Sequence, residues 1–177
     1  MNLSRFRFGC ALAALFFSQT GVAQHNLETA RKAWPDLQIF APEQIRELNS
    51  DLKAALSKRG CRIPVFTRWD GRHNVIRGSF LQPGGQDVAV LCLSGDDMSI
   101  IVYRDGTSQS AQEIRKYPAD AYRMIYVASP FVLKKKAIRD GTTQRLPQFD
   151  HDAIEDGPVG ERAETVYFDA GMWINVF

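Results

Sequence analysis

The stretch QFDHDAIEDG, residues 148–157, sets four carboxylates and a histidine within ten residues, in a chain that holds three histidines in all. Groups of these types suit three kinds of chemistry. Asp150, Asp152 and Asp156 are hard oxygen donors, and calcium takes about six to eight oxygens. An EF-hand counted from Asp150 needs a side-chain oxygen at its fifth place, glycine at its sixth and glutamate at its twelfth. The chain has Ile154, Glu155 and Glu161 there, so calcium would have to use an irregular site built on the three aspartates. Alternatively, His151 beside Asp150 or Asp152 forms an acid–base pair, as an envelope hydrolase acting on sugars would need. Catalytic carboxylates face one another across a cleft, an arrangement that sequence neighbours seldom achieve. The third reading is architectural and is the one we favour. Asp152 caps a single helical turn, Glu155 reaches back three residues to complete a capping box, and Gly157-Pro158 ends the turn. Ile154 then points into the core, and Lys134, Lys135, Lys136 and Arg139 offset the negative charge.

Other enzyme signatures are missing. The chain has no G-x-S-x-G elbow, H-E-x-x-H helix, phosphate loop or dinucleotide fingerprint. His73, in DGRHNV, reads as a turn residue rather than a base. The balance is against an enzyme.

The elements that would hold these groups follow from periodicity. Over 42–59, Ile45, Leu48, Leu52, Ala55 and Leu56 recur at three- and four-residue steps, with Pro42 at the start and Gly60 at the end, which predicts a helix. A shorter helix is expected around 27–34, stopped by Pro35. Runs at 74–80, 87–93 and 98–104 are rich in Val, Ile and Tyr and are separated by glycine-containing turns, which predicts an antiparallel meander. DVAVLCL, apolar almost throughout, is its central strand, buried on both faces. A fourth strand is expected over 121–128, then a short helix over 131–139 with Ser129 and Pro130 at its start. The last residues alternate on either side of Asp169-Ala170-Gly171 as a closing hairpin. The predicted class is α+β, an antiparallel sheet with its helices on one face.

The first residues, MNLSRFRFGCALAALFFSQTGVAQ, combine two arginines, an apolar run and small residues at Gly21 and Ala23, the pattern of a secretory signal peptide cut after Ala23. That leaves one domain over 24–177, in the periplasm or outside the cell. The apolar run is too short to span a bilayer. Of the 22 basic and 20 acidic residues, Arg5 and Arg7 depart with the peptide, so the two signs balance. A neutral chain makes no electrostatic case for nucleic acid or for an anionic membrane surface. The run LKKK at 133–136 reads as a solvated helix face. Cys10 departs too, and Cys61 and Cys92 remain in an oxidising compartment, where a disulfide between them stabilises the fold by roughly 3–4 kcal/mol.

Two resemblances add to this. GSFLQPGGQDVAVLCLSGDDMSIIVYRDG, residues 78–106, resembles one blade hairpin of the FG-GAP type found in integrin-like β-propellers. Blades of that type hold calcium through several acidic side chains in the turn, and Asp87 alone matches here. From about residue 60 onward the chain is similar to a group of uncharacterised exported bacterial proteins, on the words GCRIP, QDVAVLC, DHDAI and the final GMW. That similarity implies the disulfide and the fold, and no activity. Together these readings predict an exported binding protein. Its partner would be a protein or a cell-envelope glycan, and an inhibitor or immunity protein against an envelope-degrading enzyme is one concrete form. Tyr167, Phe168, Trp173 and Phe177 would supply its aromatic contact surface.

Overall fold

A computed structural model describes residues 34–68, 73–139 and 146–177. The expected signal peptide, and the expected helix before Pro35 apart from Trp34, lie outside the described residues. Two four-stranded antiparallel meanders dominate the rest. The first sheet runs in order through β3 (Val75–Gly78), β4 (Asp87–Ser94), β5 (Asp97–Tyr103) and β6 (Ala111–Pro118). The second contains β7 (Arg123–Ala128), β8 (Ala153–Pro158), β9 (Glu164–Asp169) and β10 (Met172–Asn175), again paired in sequence order. A two-stranded ribbon, β1 (Leu37–Phe40) with β2 (Ile63–Phe66), precedes them. The class is α+β and mostly β.

The near-continuous apolar run of β4 has a direct cause. Val88, Val90 and Cys92 point to one face and share a cluster with Leu52, Leu56 and Ile63. Ala89, Leu91 and Leu93 point to the other and share a cluster with Ile125 and Ile154 of the second sheet. Side chains alternate across a strand, so a strand buried on both faces must be apolar at every position. Helix α1 (Ser50–Lys58) supplies Leu52 and Leu56 to the first of these clusters. Helix α2 (Pro130–Arg139) supplies Leu133 to a different one, with Ala128, Ala153 and Tyr167 of the second sheet. The two sheets thus face each other, and each carries a helix on its outer side.

The sheets also touch along their margins. The Ile125 N–H donates to the His73 carbonyl at 2.8 Å, joining β7 to the segment before β3. On the opposite margin Trp173 Nε1 donates to Gln112 Oε1 at 3.0 Å, and Arg115 pairs with Glu164 at 3.2 Å. The disulfide joins Cys61, just before β2, to Cys92 in β4, with the Cα atoms 5.2 Å apart.

Several expectations need correction. The helix predicted over 42–59 is a 3-10 turn, Pro42–Gln44, followed by the shorter α1. The Asn49 side chain accepts the Leu52 N–H at 2.9 Å and starts the helix anew, as an asparagine N-cap does. Ile45 and Leu48 still reach the same core cluster from irregular backbone, so apolar spacing alone overstated the helix. The single sheet is two, because β7 turns away from the first meander to begin the second. Strands β1 and β6 were not anticipated; β6, AQEIRKYP, is a half-exposed edge without a buried face's apolar alternation.

Candidate functional site

The acidic stretch is not a capped helical turn. From Ala153 to Pro158 it is the strand β8, paired on one side with β7 and on the other with β9. Asp152 does accept a backbone N–H, but from Ser79 across the interface at 2.9 Å, while its own N–H donates to the Ser79 carbonyl at 3.0 Å. Glu155 does not reach back to Asp152; it pairs with Lys136 of α2. The local pattern suited a capping box, but sheet pairing satisfies many more backbone groups than one turn could.

Nor do Asp150, Asp152 and Asp156 converge on a metal. Each turns to a different part of the molecule. Asp150 faces His151 and Tyr167, with about half its side chain in solvent. Asp152 faces Ser79. Asp156, fully buried, accepts from Arg123 Nε at 2.6 Å and from the Tyr117 hydroxyl. The Arg123 guanidinium lies 3.9 Å from the centre of the Tyr117 ring. Asp156 is therefore one half of a buried ion pair between β7 and β8, with a hydroxyl from β6 closing it. Burial and the hydrogen bond to Asp156 both raise the Tyr117 pKa. Among the described residues no group of three potential ligands gathers anywhere. At the start of β4, the buried Asp87 spends its two oxygens on the N–H groups of Leu81, at 2.8 Å, and Asp105, at 3.0 Å. It holds two turns together.

His151 is brought to Asp150 and to a third group that the sequence did not single out for this role. Its Nδ1 lies 2.6 Å from Asp150 Oδ1 and 2.9 Å from the Tyr167 hydroxyl, and its ring stacks on Tyr167 at 4.3 Å. The hydrogen bond from His151, then that from Tyr167, holds the Asp150 carboxyl below its ordinary range. Burial pushes the Tyr167 phenol up to about 12. Phe149 meets Tyr167 edge-on at 5.2 Å, and the group lies in the core cluster under α2. An acid–base histidine held by a carboxylate at Nδ1 presents Nε2 to its substrate. Here Nε2 is buried with no hydrogen-bond partner among the described residues. The arrangement is that of a histidine wedged into a core by one charged contact. His73 is buried too, its ring 5.3 Å from that of Tyr126.

The expected aromatic surface is mostly interior. Tyr167 is buried, and Phe168, Trp173 and Phe177 are half-buried against the core clusters. Lys136 and Arg139 of α2 line an open cleft with Glu155 of β8, and with Arg162 and Ala163 from the turn before β9. Lys136 also donates to Thr165 Oγ1 at 3.1 Å, tying the helix to the sheet. The reading of LKKK as a wet face holds for Lys134 and Lys135, which are exposed, and not for Lys136. Arg162 and Arg123 were missed. Arg123 carried a signal, as a lone charge inside the otherwise apolar run RMIYVA; Arg162, in an exposed turn, carried none. No protein-family model, curated protein or solved structure matches this chain.

Proposed function

We propose that the protein works by binding, as a small exported protein of the bacterial periplasm whose partner is a protein or an envelope glycan. Inhibition of, or immunity to, an envelope-degrading enzyme is its most concrete form. One observation carries the preference for binding over turnover: the catalytic candidates of residues 148–157 are engaged in holding the fold. His151 has its Nε2 enclosed, Asp156 is half of a buried ion pair, and Asp152 joins the two sheets through Ser79. Export rests on the pattern of the first 23 residues.

The second reading is an envelope hydrolase using His151, and the contact between Nδ1 and Asp150 is what favours it. A single pair of variants separates the two. A binder captures its partner from an envelope extract equally well as wild type, His151→Gln or Asp152→Ala, once each is shown by melting to be folded. Turnover of peptidoglycan or its oligosaccharides by the wild type, abolished in folded His151→Gln, sinks the binding reading.

A further inference from the structure

Helix α2 is an amphipathic helix used from both sides. Its inner side is spent on the fold through Leu133, fully buried, and Lys136, which faces Glu155 and Thr165. Positions 131 and 138 are seven residues apart, two turns, so they lie one above the other. They stand on the side opposite Leu133. Phe131 is 65% exposed and Ile138 is 82% exposed, and Val132 beside them is also in solvent. A large apolar side chain in water is common singly; a ridge of them on one short helix marks a contact surface.

The ridge is bordered by positive charge. Lys135 stands between its two ends with Nζ 4.5 Å from the Phe131 ring centre. Lys134 is exposed on one flank and Arg139 on the other. Arg139 also lines the cleft that Arg162 enters from the second sheet. Apolar side chains flanked by lysine and arginine, on a helix lying flat against its own protein, match a bilayer surface in which anionic headgroups surround an acyl boundary. The charge balance of the whole chain hid this, because attraction to a surface falls off within a Debye length and is set by the face presented.

We propose that the outer side of α2 forms a peripheral docking surface for an anionic lipid bilayer. Phe131 and Ile138 enter the acyl boundary, and Lys134 and Lys135 meet lipid phosphates. The docking is reversible, since one short helix buries too little for permanent anchorage. This goes beyond the partner reading above and does not rest on it: vesicle binding can fail while envelope capture of a partner persists, and the reverse.

The test is co-sedimentation of the protein, purified in its secreted form so that all variants share one N-terminus, with vesicles of phosphatidylglycerol mixed with phosphatidylcholine or of phosphatidylcholine alone. Binding is expected to the mixed vesicles only, weakening as salt is raised. Phe131→Ser with Ile138→Ser should weaken it by about tenfold, and Lys134→Glu or Lys135→Glu by roughly fivefold or more each. All four positions are exposed, so the melting temperature should hardly move. Equal binding to both vesicle types, no binding to either, or wild-type binding by the Phe131→Ser, Ile138→Ser variant overturns the proposal. So does saturable binding of inorganic phosphate that abolishes vesicle binding at low concentration, which would make the lysines of α2 a site for a free anion.

Discussion

The two meanders share a plan and differ in how they are filled. In the first, β4 is buried on both faces, α1 lies over it through Leu52 and Leu56, and a disulfide ties its central strand to β2. In the second, the inner face holds the Arg123–Asp156 ion pair, the outer face holds His151 and Thr165, and α2 gives the core only Leu133 among its buried residues. Apolar burial is non-directional and forgiving, so the first sheet owes its stability to area. Buried polar groups stabilise only while every partner is in place. The second sheet has thus traded interior robustness for defined polar geometry, and its helix keeps an outer face that the fold does not use.

That contrast can be broken deliberately. The largest effect should come from Asp156→Ala, which leaves Arg123 charged and buried and should cost about 3–5 kcal/mol. Chemical denaturation measures it, and Arg123→Met added to Asp156→Ala should recover part of the loss. If the double variant is no better than the single one, the ion pair is not what makes the second sheet sensitive. In the first sheet, Cys61→Ala with Cys92→Ala should cost roughly 3–4 kcal/mol, with little change in the order of the second sheet by hydrogen exchange. A loss spread evenly over both meanders would mean that the two are one cooperative unit.

The smallest and most graded effect is alkaline. All five tyrosines have raised pKa values, with burial the leading cause in each. Below pH about 10 the folded and unfolded chains both keep these protons. Above it the unfolded chain releases them first and binds fewer, so stability is full at lower pH and declines as pH rises through about 10 to 12. Melting temperature and the ultraviolet titration of phenolate should fall and lag together. Tyr167→Phe should shift the titration by one slow group, and no lag in any tyrosine would remove the effect.

The first meander, the closing hairpin and α2 were readable in advance, because their determinants are local. DVAVLCL announces a doubly buried strand, Asp169-Ala170-Gly171 announces the closing hairpin, and Ser129-Pro130 announces α2. The acidic stretch was not readable. It looks like a turn because Asp152 and Glu155 have the spacing of a capping box and Gly157-Pro158 follows. The partner of Asp156 is Arg123, 33 residues away, and that of Glu155 is Lys136, 19 away. A strand that buries charge is legible only once the element carrying the counter-charge has been placed beside it.

By itself the sequence determined the antiparallel, mostly short-stranded texture, the pair of cysteines available for a bridge and the positions of both helices to within part of their length. These follow from periodicity, turn residues and composition, all of which act over a few residues. Only the tertiary structure decided that the meanders face each other as two sheets and that His151 has its second nitrogen closed off. It alone decided that the acidic residues part company rather than converge, and that the outer side of α2 carries Phe131 and Ile138 into solvent beside Lys134 and Lys135. The reason is range: hydrogen-bond periodicity is set by neighbours along the chain, whereas the partner of a buried charge and the cover of a helix face are set by segments that folding brings from far away.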